Sequence, residues 1–273
     1  MMNTDKNLNR EIVLSDRMLS VAGMVTKGNI VCDVGCDHGF VSIYLVKRGT
    51  SPKVIAMDVK KGPLEAAKGH VEEHALTDYI ETRLSDGVTA LAPGEADTLI
   101  CAGMGGKLMR RIMEEGKEKL RSMKELILQP QSELQGMREY LREQGYLIAD
   151  ENMILEDGKY YTVIKACPAA KNTIPEAGRY ADNGNDINVD SRGVSRRVED
   201  KYGPILLKRK DAVLRGFLLR ERKICEEILG GLREADGEEN IQNSRHNMRR
   251  KEIEGRIEDI DTALSCFIGK YVQ

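Results

Sequence analysis

The sequence predicts an α/β protein in which a mostly parallel sheet is covered by helices and followed by a helical hairpin. Three observations favour this class. Short apolar runs alternate with helical patterns between residues 29 and 144, a turn dipeptide joins two later strand-like runs, and residues 202–271 carry apolar positions at helical spacing. The chain of 273 residues is long enough for one α/β core and a smaller appendage.

The first elements are predicted from the spacing of apolar residues and from capping and turn residues at their ends. A lead-in helix is expected from Leu14 to Val25, with Ser15 as its N-cap and Gly28 just beyond its end. Five strands are expected at NIVCDV, KVIAMDV, YIETRLS, DTLICAG and ELILQP, with helices around 39–48, 62–75, 106–121 and 132–144. Because these strands are short and continuously apolar, they predict a parallel sheet covered on both faces.

The sheet is expected to end in an antiparallel pair, because Asp157-Gly158 is a two-residue turn signal between two strand-like runs. Residues 168–198 are rich in Pro, Gly, Asn and Asp and lack apolar periodicity, which is typical of a flexible linker. The predicted organisation is therefore a first domain over residues 1–167, a linker or insertion over 168–198 and a helical domain over 199–273.

Two helices are expected in the last domain. The first carries apolar positions at Leu214, Phe217, Ile224, Ile228 and Leu232. The second carries them at steps of 4, 3, 4, 3 and 4, the spacing of a coiled-coil seam, at Ile253, Ile257, Ile260, Leu264, Phe267 and Tyr271. The polar stretch READGEEN lies between them, which predicts an antiparallel coiled-coil hairpin.

Composition and charge argue against a strongly basic nucleic-acid-binding protein, a membrane-spanning protein and a disulfide-linked protein. A hydrophobic fraction of 41%, a charged fraction of 32% and a net charge of −2 give no overall attraction to nucleic acid. The polar N-terminus and the absence of a long uncharged apolar window predict a cytoplasmic protein without a membrane span. The six cysteines are scattered, which argues against disulfides.

No metal site is expected. His70 and His74 stand one helical turn apart, but no third ligand follows at a recognisable spacing, and a solvated helix face is the simpler interpretation. Cys32, Cys36 and His38 are close in sequence but lack a second cysteine pair.

The glycine loop after the first strand is the first functional signal. The run Asp33-Val-Gly35-Cys-Asp37-His-Gly39 lacks the G-x-G-x-x-G spacing of a dinucleotide site, and its acids would repel a pyrophosphate. They suit a positively charged ligand, and S-adenosylmethionine carries both an ammonium and a sulfonium group. The predicted donor-binding residues of this loop are Asp33, Gly35, Cys36, Asp37, His38 and Gly39.

Acids at the next two strand ends extend this site. Asp58, followed by Val59, ends the second strand nineteen residues after Gly39, where a carboxylate can accept both ribose hydroxyls of either cofactor class. Asp86 and Gly87 follow the third strand, where a carboxylate can meet the adenine amino group. Any one of these could be a turn aspartate before a glycine. Their joint placement favours a crevice for S-adenosylmethionine.

The loop Gly103-Met104-Gly105-Gly106 follows the fourth strand and is expected to face the methyl donor. It offers only backbone and a thioether, so it suits a ring nitrogen that is already unprotonated, such as adenine N1. Catalysis would then depend on positioning and electrostatics. The predicted catalytic residues are Asp37, nearest the positive charge of the product, with Gly103 and Met104, while Gly103 and Gly105 also belong to the predicted donor site. The simpler alternative is a tight turn with Met104 as filler.

Six motifs occur in order: LSDRML, DVGCDHGF, SDG, AGMGG, LILQPQ and YGPILLK. With the helical hairpin, they resemble the bacterial tRNA (adenine-N1)-methyltransferases that act on adenine 22. The resemblance implies a Rossmann-like class I methyltransferase domain, S-adenosylmethionine as donor, tRNA as substrate and a coiled coil that helps to hold the tRNA. By position it assigns the donor site to Asp33, Gly35, Asp37, His38, Gly39, Asp58, Asp86 and Gly87, with Gly103 to Gly106 between donor and base.

The predicted substrate-binding residues are Arg17, on the lead-in helix, Phe40 and Gly106. The chain departs from the family at Phe40-Val41-Ser42, where an aromatic hydroxyl followed by Leu-Pro is expected. Basic groups elsewhere alternate with acids, as on an ordinary coiled-coil face. A monomer is expected. The alternatives are a methyltransferase of a small molecule or protein, and a non-catalytic RNA-binding module with a methyltransferase-like fold.

Overall fold

The computed structural model of the chain describes residues 12–169, 194–235 and 244–268. The chain divides into two compact units, Met1–Tyr180 and Ala181–Gln273. Most of the predicted linker over 168–198 and the predicted turn between the last two helices lie outside the described residues.

The first unit contains a seven-stranded sheet with the strand order β3-β2-β1-β4-β5-β7-β6. Strands β1 to β5 run parallel, while β7 pairs antiparallel with both β5 and β6. The predicted parallel sheet with an antiparallel end is therefore confirmed. The strands are β1 (Val31–Val34), β2 (Val54–Asp58), β3 (Ile80–Leu84), β4 (Thr98–Met104), β5 (Glu125–Pro130), β6 (Tyr146–Glu156) and β7 (Lys159–Pro168).

Helices cover both faces of the sheet, and alternate strand residues explain why. Val31 and Ile127 contribute to a buried cluster with the first three helices, whereas Cys32 and Leu128 belong to a cluster with the next three. Because both faces are covered, the central strands are apolar at nearly every position. The six helices are α1 (Asp16–Gly23), α2 (Phe40–Lys47), α3 (Lys61–Glu73), α4 (Gly106–Glu115), α5 (Lys117–Arg121) and α6 (Leu134–Glu143).

Local signals set several boundaries as predicted. The Ser15 hydroxyl caps α1 by accepting the Met18 amide at 3.4 Å. The turn between β6 and β7 has positive φ at both Asp157 (49°) and Gly158 (74°), which matches the right-handed twist of a hairpin.

The helical pattern predicted around 106–121 is present, but it is divided at Gly116 into α4 and α5. A Cβ at this position would lie 2.2 Å from the Val88 Cγ2 atom of the loop after β3. The glycine therefore lets the chain pass close to that loop, and the helix breaks there.

The second unit is helical, with α7 (Arg196–Tyr202), α8 (Pro204–Arg209), α9 (Ala212–Ala235) and α10 (Ser244–Ser265). Helices α9 and α10 pack against each other, and their coiled-coil character stays a prediction. The buried residues of α9 are Leu214, Leu218, Cys225 and Leu229, whereas the predicted core residue Ile224 is 36% exposed. The buried face of α9 therefore includes Cys225, a small apolar residue, and not Ile224.

The α10 face is buried at Ile253, Ile260 and Ala263. The predicted seam residue Tyr271 lies outside the described residues. No helix within the described ranges is long and apolar enough to cross a membrane. In the same part of the chain, no cluster of three or more His, Cys, Asp or Glu side chains is arranged to hold a metal ion.

Candidate active site at the carboxyl ends of the strands

The carboxyl ends of β1 to β5 meet at one edge of the sheet, and the strand order reverses between β1 and β4. In open α/β sheets this reversal opens a crevice in which ligands bind. The predicted donor loops all lie at this edge, since they follow β1, β2, β3 and β4.

The loop after β1 turns sharply over five residues. Gly35, Asp37 and Gly39 all have positive φ, at 75°, 50° and 74°. The amides of Gly35 and Cys36 donate to the Met57 carbonyl at 2.9 and 3.0 Å, which ties the loop to the end of β2. A Cβ on Gly39 would lie 3.1 Å from the Ala67 Cβ, so the loop also lies close to α3. Asp37 is the one non-glycine residue of this loop with positive φ, and its side chain is exposed.

Asp33 lies in β1, just before this loop, and is only 5% exposed. The Ser42 hydroxyl on α2 donates to its Oδ2 atom at 2.7 Å. Burial raises the pKa of Asp33 from 3.8 to about 6; the Ser42 hydrogen bond opposes this rise, and the nearby Asp58 charge adds to it. The ionised carboxylate therefore favours a positively charged ligand.

Replacing Asp33 by asparagine is expected to stabilise the free protein at neutral pH. Because the folded-state pKa of Asp33 is raised, ionisation above pH 6 costs the native state up to about 3 kcal/mol. Asp33→Asn should raise the free energy of unfolding by about 1–3 kcal/mol at pH 7. The gain should shrink between pH 6 and 4 and vanish below 3.8, where both states bind the proton. Urea unfolding at several pH values measures this; a gain independent of pH would contradict it.

Asp58, the last residue of β2, is 9% exposed and its carboxylate is held by two backbone amides. Its Oδ2 accepts the Asp37 amide at 3.3 Å, and its Oδ1 accepts the Lys60 amide at 2.8 Å. A carboxylate oxygen can accept more than one hydrogen bond, so each oxygen keeps acceptor capacity. The two amides thus hold the carboxylate in one orientation. Val59 beside it is 59% exposed and offers an apolar surface.

Asp86 and Gly87 follow β3, but their surroundings differ from the sequence interpretation. The exposed Asp86 carboxylate accepts the Arg111 Nη2 of α4 at 3.0 Å. Gly87 has φ 56°, and a Cβ there would lie 3.0 Å from the Ile112 side chain. This carboxylate is therefore already paired with an arginine, and Gly87 packs against α4.

The loop after β4 contains a β-bulge. The β4–β5 register shifts between Ala102 and Met104, which leaves Gly103 outside the ladder with φ 77°. The Gly103 amide donates instead to the Gln129 Oε1 at 3.1 Å. The Met104 Sδ lies 3.3 Å from the Cys101 Sγ, and its Cε lies 3.1 Å from where a Gly35 Cβ would stand. Met104 therefore fills the gap between the β1 and β4 loops.

The other two glycines of this loop begin α4. Gly105 is its N-cap, and a Cβ there would lie 3.6 Å from the Ser132 Oγ. Gly106 is buried, and a Cβ there would lie 2.5 Å from the Ser132 carbonyl oxygen. Close packing against the loop after β5 thus accounts for Gly106, a reason that the sequence interpretation did not include.

Arg17 lies at the same edge, as expected from its place on α1. Its Nη1 donates to the Gln129 Oε1 at 2.9 Å, and its guanidinium lies 5.1 Å from the centre of the Tyr161 ring. Its Nε is 3.9 Å from the Glu156 carboxylate. The arginine is therefore held by side chains of β5, β6 and β7.

An aromatic group flanks the β1 loop. Phe40 is 41% exposed, and the centre of its ring is 4.8 Å from that of His70 and 5.9 Å from that of His38. The His70 Nδ1 lies 2.9 Å from the His38 carbonyl. The prediction that His70 and His74 share a solvated face is wrong for His74, which is buried and lies 3.2 Å from the Lys47 Nζ.

Three residues at this edge were not predicted to belong to the site: Ser42, His70 and Gln129. Gln129 carried the clearest available signal, because it is a polar residue that directly follows the apolar run Leu126–Leu128 of β5.

Comparisons with known proteins agree with this geometry. A family model described as "Methyltransferase domain" matches residues 14–164. The Bacillus subtilis tRNA (adenine(22)-N(1))-methyltransferase is 34% identical over 249 residues, which cover 91% of this chain and 95% of that protein. The crystal structure of the B. subtilis M1A22 tRNA methyltransferase gives a TM-score of 0.75 at 29% identity, covering 93% of this chain and 100% of that chain.

A further similar structure is that of Sp1610 from Streptococcus pneumoniae, solved in complex with S-adenosyl-L-methionine. It gives a TM-score of 0.73 at 28% identity and covers 92% of this chain and 100% of that chain. The sheet, its glycine loop and the carboxylates at its edge define a Rossmann-like class I methyltransferase. The match along nearly the whole length is more specific: the chain belongs to the tRNA (adenine-22-N1)-methyltransferase family.

Proposed function

We infer that this protein transfers a methyl group from S-adenosylmethionine to N1 of adenine 22 in tRNA. The observation that carries this inference is the extent of the similarity. It covers 91% of the chain and so continues beyond the sheet into the helical second unit, which a methyltransferase of a small molecule would not require.

The donor site is proposed to lie across the loops after β1, β2 and β3. The Asp58 carboxylate, held by two backbone amides, accepts the ribose hydroxyls, and the exposed Val59 side chain covers one face of the adenine. The buried Asp33 favours the positive charge of the donor. The remaining proposed donor-binding residues are Gly35, Cys36, Asp37, His38, Gly39, Asp86, Gly87, Gly103 and Gly105.

The reaction needs little acid–base chemistry from the protein. S-adenosylmethionine supplies the methyl group in electrophilic form on a positively charged sulfur, and adenine N1 carries a free lone pair at neutral pH. The loop Gly103–Gly105 has little side-chain bulk and lets the target base approach the donor over its backbone. Rate enhancement therefore comes from alignment of the two reactants. Asp37 is proposed to offset the positive charge that develops on the methylated base. Gly103 and Met104 form the surface between donor and base.

Substrate binding is proposed to involve Arg17, Phe40 and Gly106 in the domain over 1–167 and the helical domain over 199–273. Many basic side chains of α9 and α10 have acidic partners, such as Arg222 with Asp261 at 2.7 Å and Arg250 with Glu254 at 3.0 Å. Phosphate contacts must therefore compete with these pairs, and they would weaken with salt. We propose that the protein acts in the cytoplasm, where tRNA is, as a monomer.

Transfer to two matched transcripts tests this function. We expect the protein to label an unmodified tRNA transcript with adenine at position 22 at least a hundredfold faster than the same transcript with guanine there. The measurement is incorporation of a radioactive methyl group from S-adenosylmethionine. Equal labelling of both transcripts would contradict the assignment of the target nucleotide.

A further inference from the structure

One side chain beside the proposed catalytic loop has an unusual hydrogen-bonding state. Gln129, in β5, is completely buried, and its Nε2 atom has no hydrogen-bond partner. Within residues 12–169, 194–235 and 244–268, it is the only buried side-chain nitrogen or oxygen in this state. Leaving such a donor unpaired costs about 1–3 kcal/mol.

The hydrogen bonds of the Gln129 Oε1 atom fix the orientation of this side-chain amide. The Gln129 Oε1 accepts the Gly103 amide at 3.1 Å and the Arg17 Nη1 at 2.9 Å. Both neighbours are donors, so turning the amide over would place its NH₂ group against two further N–H groups. The oxygen must therefore face them, and the nitrogen remains unpaired as a consequence.

The two groups that share this oxygen are both placed at the substrate side of the site. Gly103 is the bulge residue at the start of the loop proposed to lie between donor and base. Arg17 closes over it, since its Nη1 would lie 3.6 Å from a Cβ on Gly103. A shift of the half-buried Arg17 toward an incoming phosphate would uncover the amide nitrogen next to the bulge.

We propose that Gln129 is a positioning residue for the target nucleotide. Its oxygen fixes the Gly103 peptide and Arg17, and its nitrogen donates to an acceptor atom of the target adenosine when tRNA binds. This inference rests on the proposed function and adds to it a residue that recognises the substrate. A buried donor that is unpaired in the free protein can form its hydrogen bond only with the bound substrate. Such a hydrogen bond strengthens substrate binding at the active site.

Gln129→Glu separates the two roles of the amide. A carboxylate can still accept from the Gly103 amide and from Arg17, but it has no N–H to donate. We expect kcat for tRNA methylation to fall at least tenfold, with the Kd for S-adenosylmethionine and the unfolding midpoint changed by little. Gln129→Met, which removes both roles, should lower kcat further and also raise KM for tRNA.

An added negative charge could repel tRNA without any specific contact, so Gln131→Glu is the matched control. It makes the same chemical change on an exposed side chain two residues along the chain. The proposal predicts that kcat of the Gln129→Glu protein is at least tenfold below that of the Gln131→Glu protein. Equal kcat in these two variants, or parental kinetics in a folded Gln129→Met protein, would overturn it. Methylation by the parent chain in the same assay reports separately on the proposed function.

Discussion

Asp58→Ala is expected to weaken the binding of S-adenosylmethionine at least a hundredfold. The carboxylate is 9% exposed and oriented by the Asp37 and Lys60 amides. Two hydrogen bonds from ribose hydroxyls to a charged group contribute about 1.5–3 kcal/mol each, and about 1.4 kcal/mol corresponds to a tenfold change in Kd. Titration calorimetry with the full chain measures the change.

Asp78→Ala provides the control for this prediction, because it removes an exposed carboxylate before β3 by the same substitution. Its donor affinity should equal that of the parent. Since Asp58 also holds two loop amides, the unfolding midpoint of each variant should be measured alongside. A folded Asp58→Ala protein that binds the donor within threefold of the parent would refute the ribose contact.

Arg138→Met is expected to lower the free energy of unfolding by about 3–5 kcal/mol. Arg138 on α6 is 1% exposed, and its Nε lies 2.7 Å from the Oε1 of Glu151 on β6, which is fully buried. Methionine preserves much of the side-chain volume but leaves the Glu151 carboxylate in the interior without this counter-charge. Guanidinium chloride unfolding gives the difference directly.

Two further variants show whether the buried charge causes the loss. Arg138→Met combined with Glu151→Leu removes both charges and should recover most of the stability. Lys68→Met breaks an exposed pair with Glu72, whose charged atoms are 4.0 Å apart, and should cost at most about 1 kcal/mol. If Arg138→Met costs no more than Lys68→Met, the buried pair does not stabilise the fold as described.

The sequence predicted the features that depend on local signals. The strand runs, the Ser15 cap and the Asp157-Gly158 turn each require only neighbouring residues, and the structure contains all three. The acids at the ends of β1 and β2 could be placed because parallel strands end at one edge. Local signals also suffice for most of the helix boundaries.

The features that were missed depend on contacts between distant elements. Gly116 is needed because Val88 lies against it, and Gly106 is needed because Ser132 approaches from the loop after β5. The buried face of α9 contains Cys225 and not Ile224, and which of the two is buried depends on how α9 packs against α10. The Gln129 contacts join residues 112 and 26 positions apart, so no local pattern could reveal them.

The identity of the methylated nucleoside tests the proposed activity most directly. The protein would be incubated with S-adenosylmethionine and unmodified tRNA, and the nucleosides separated by mass spectrometry under conditions that avoid alkaline rearrangement. The loop Gly103–Gly105 offers only backbone groups and a thioether and so suits a ring nitrogen, and we therefore expect 1-methyladenosine. Methyl groups found on the exocyclic amine, on ribose or on another base would contradict it.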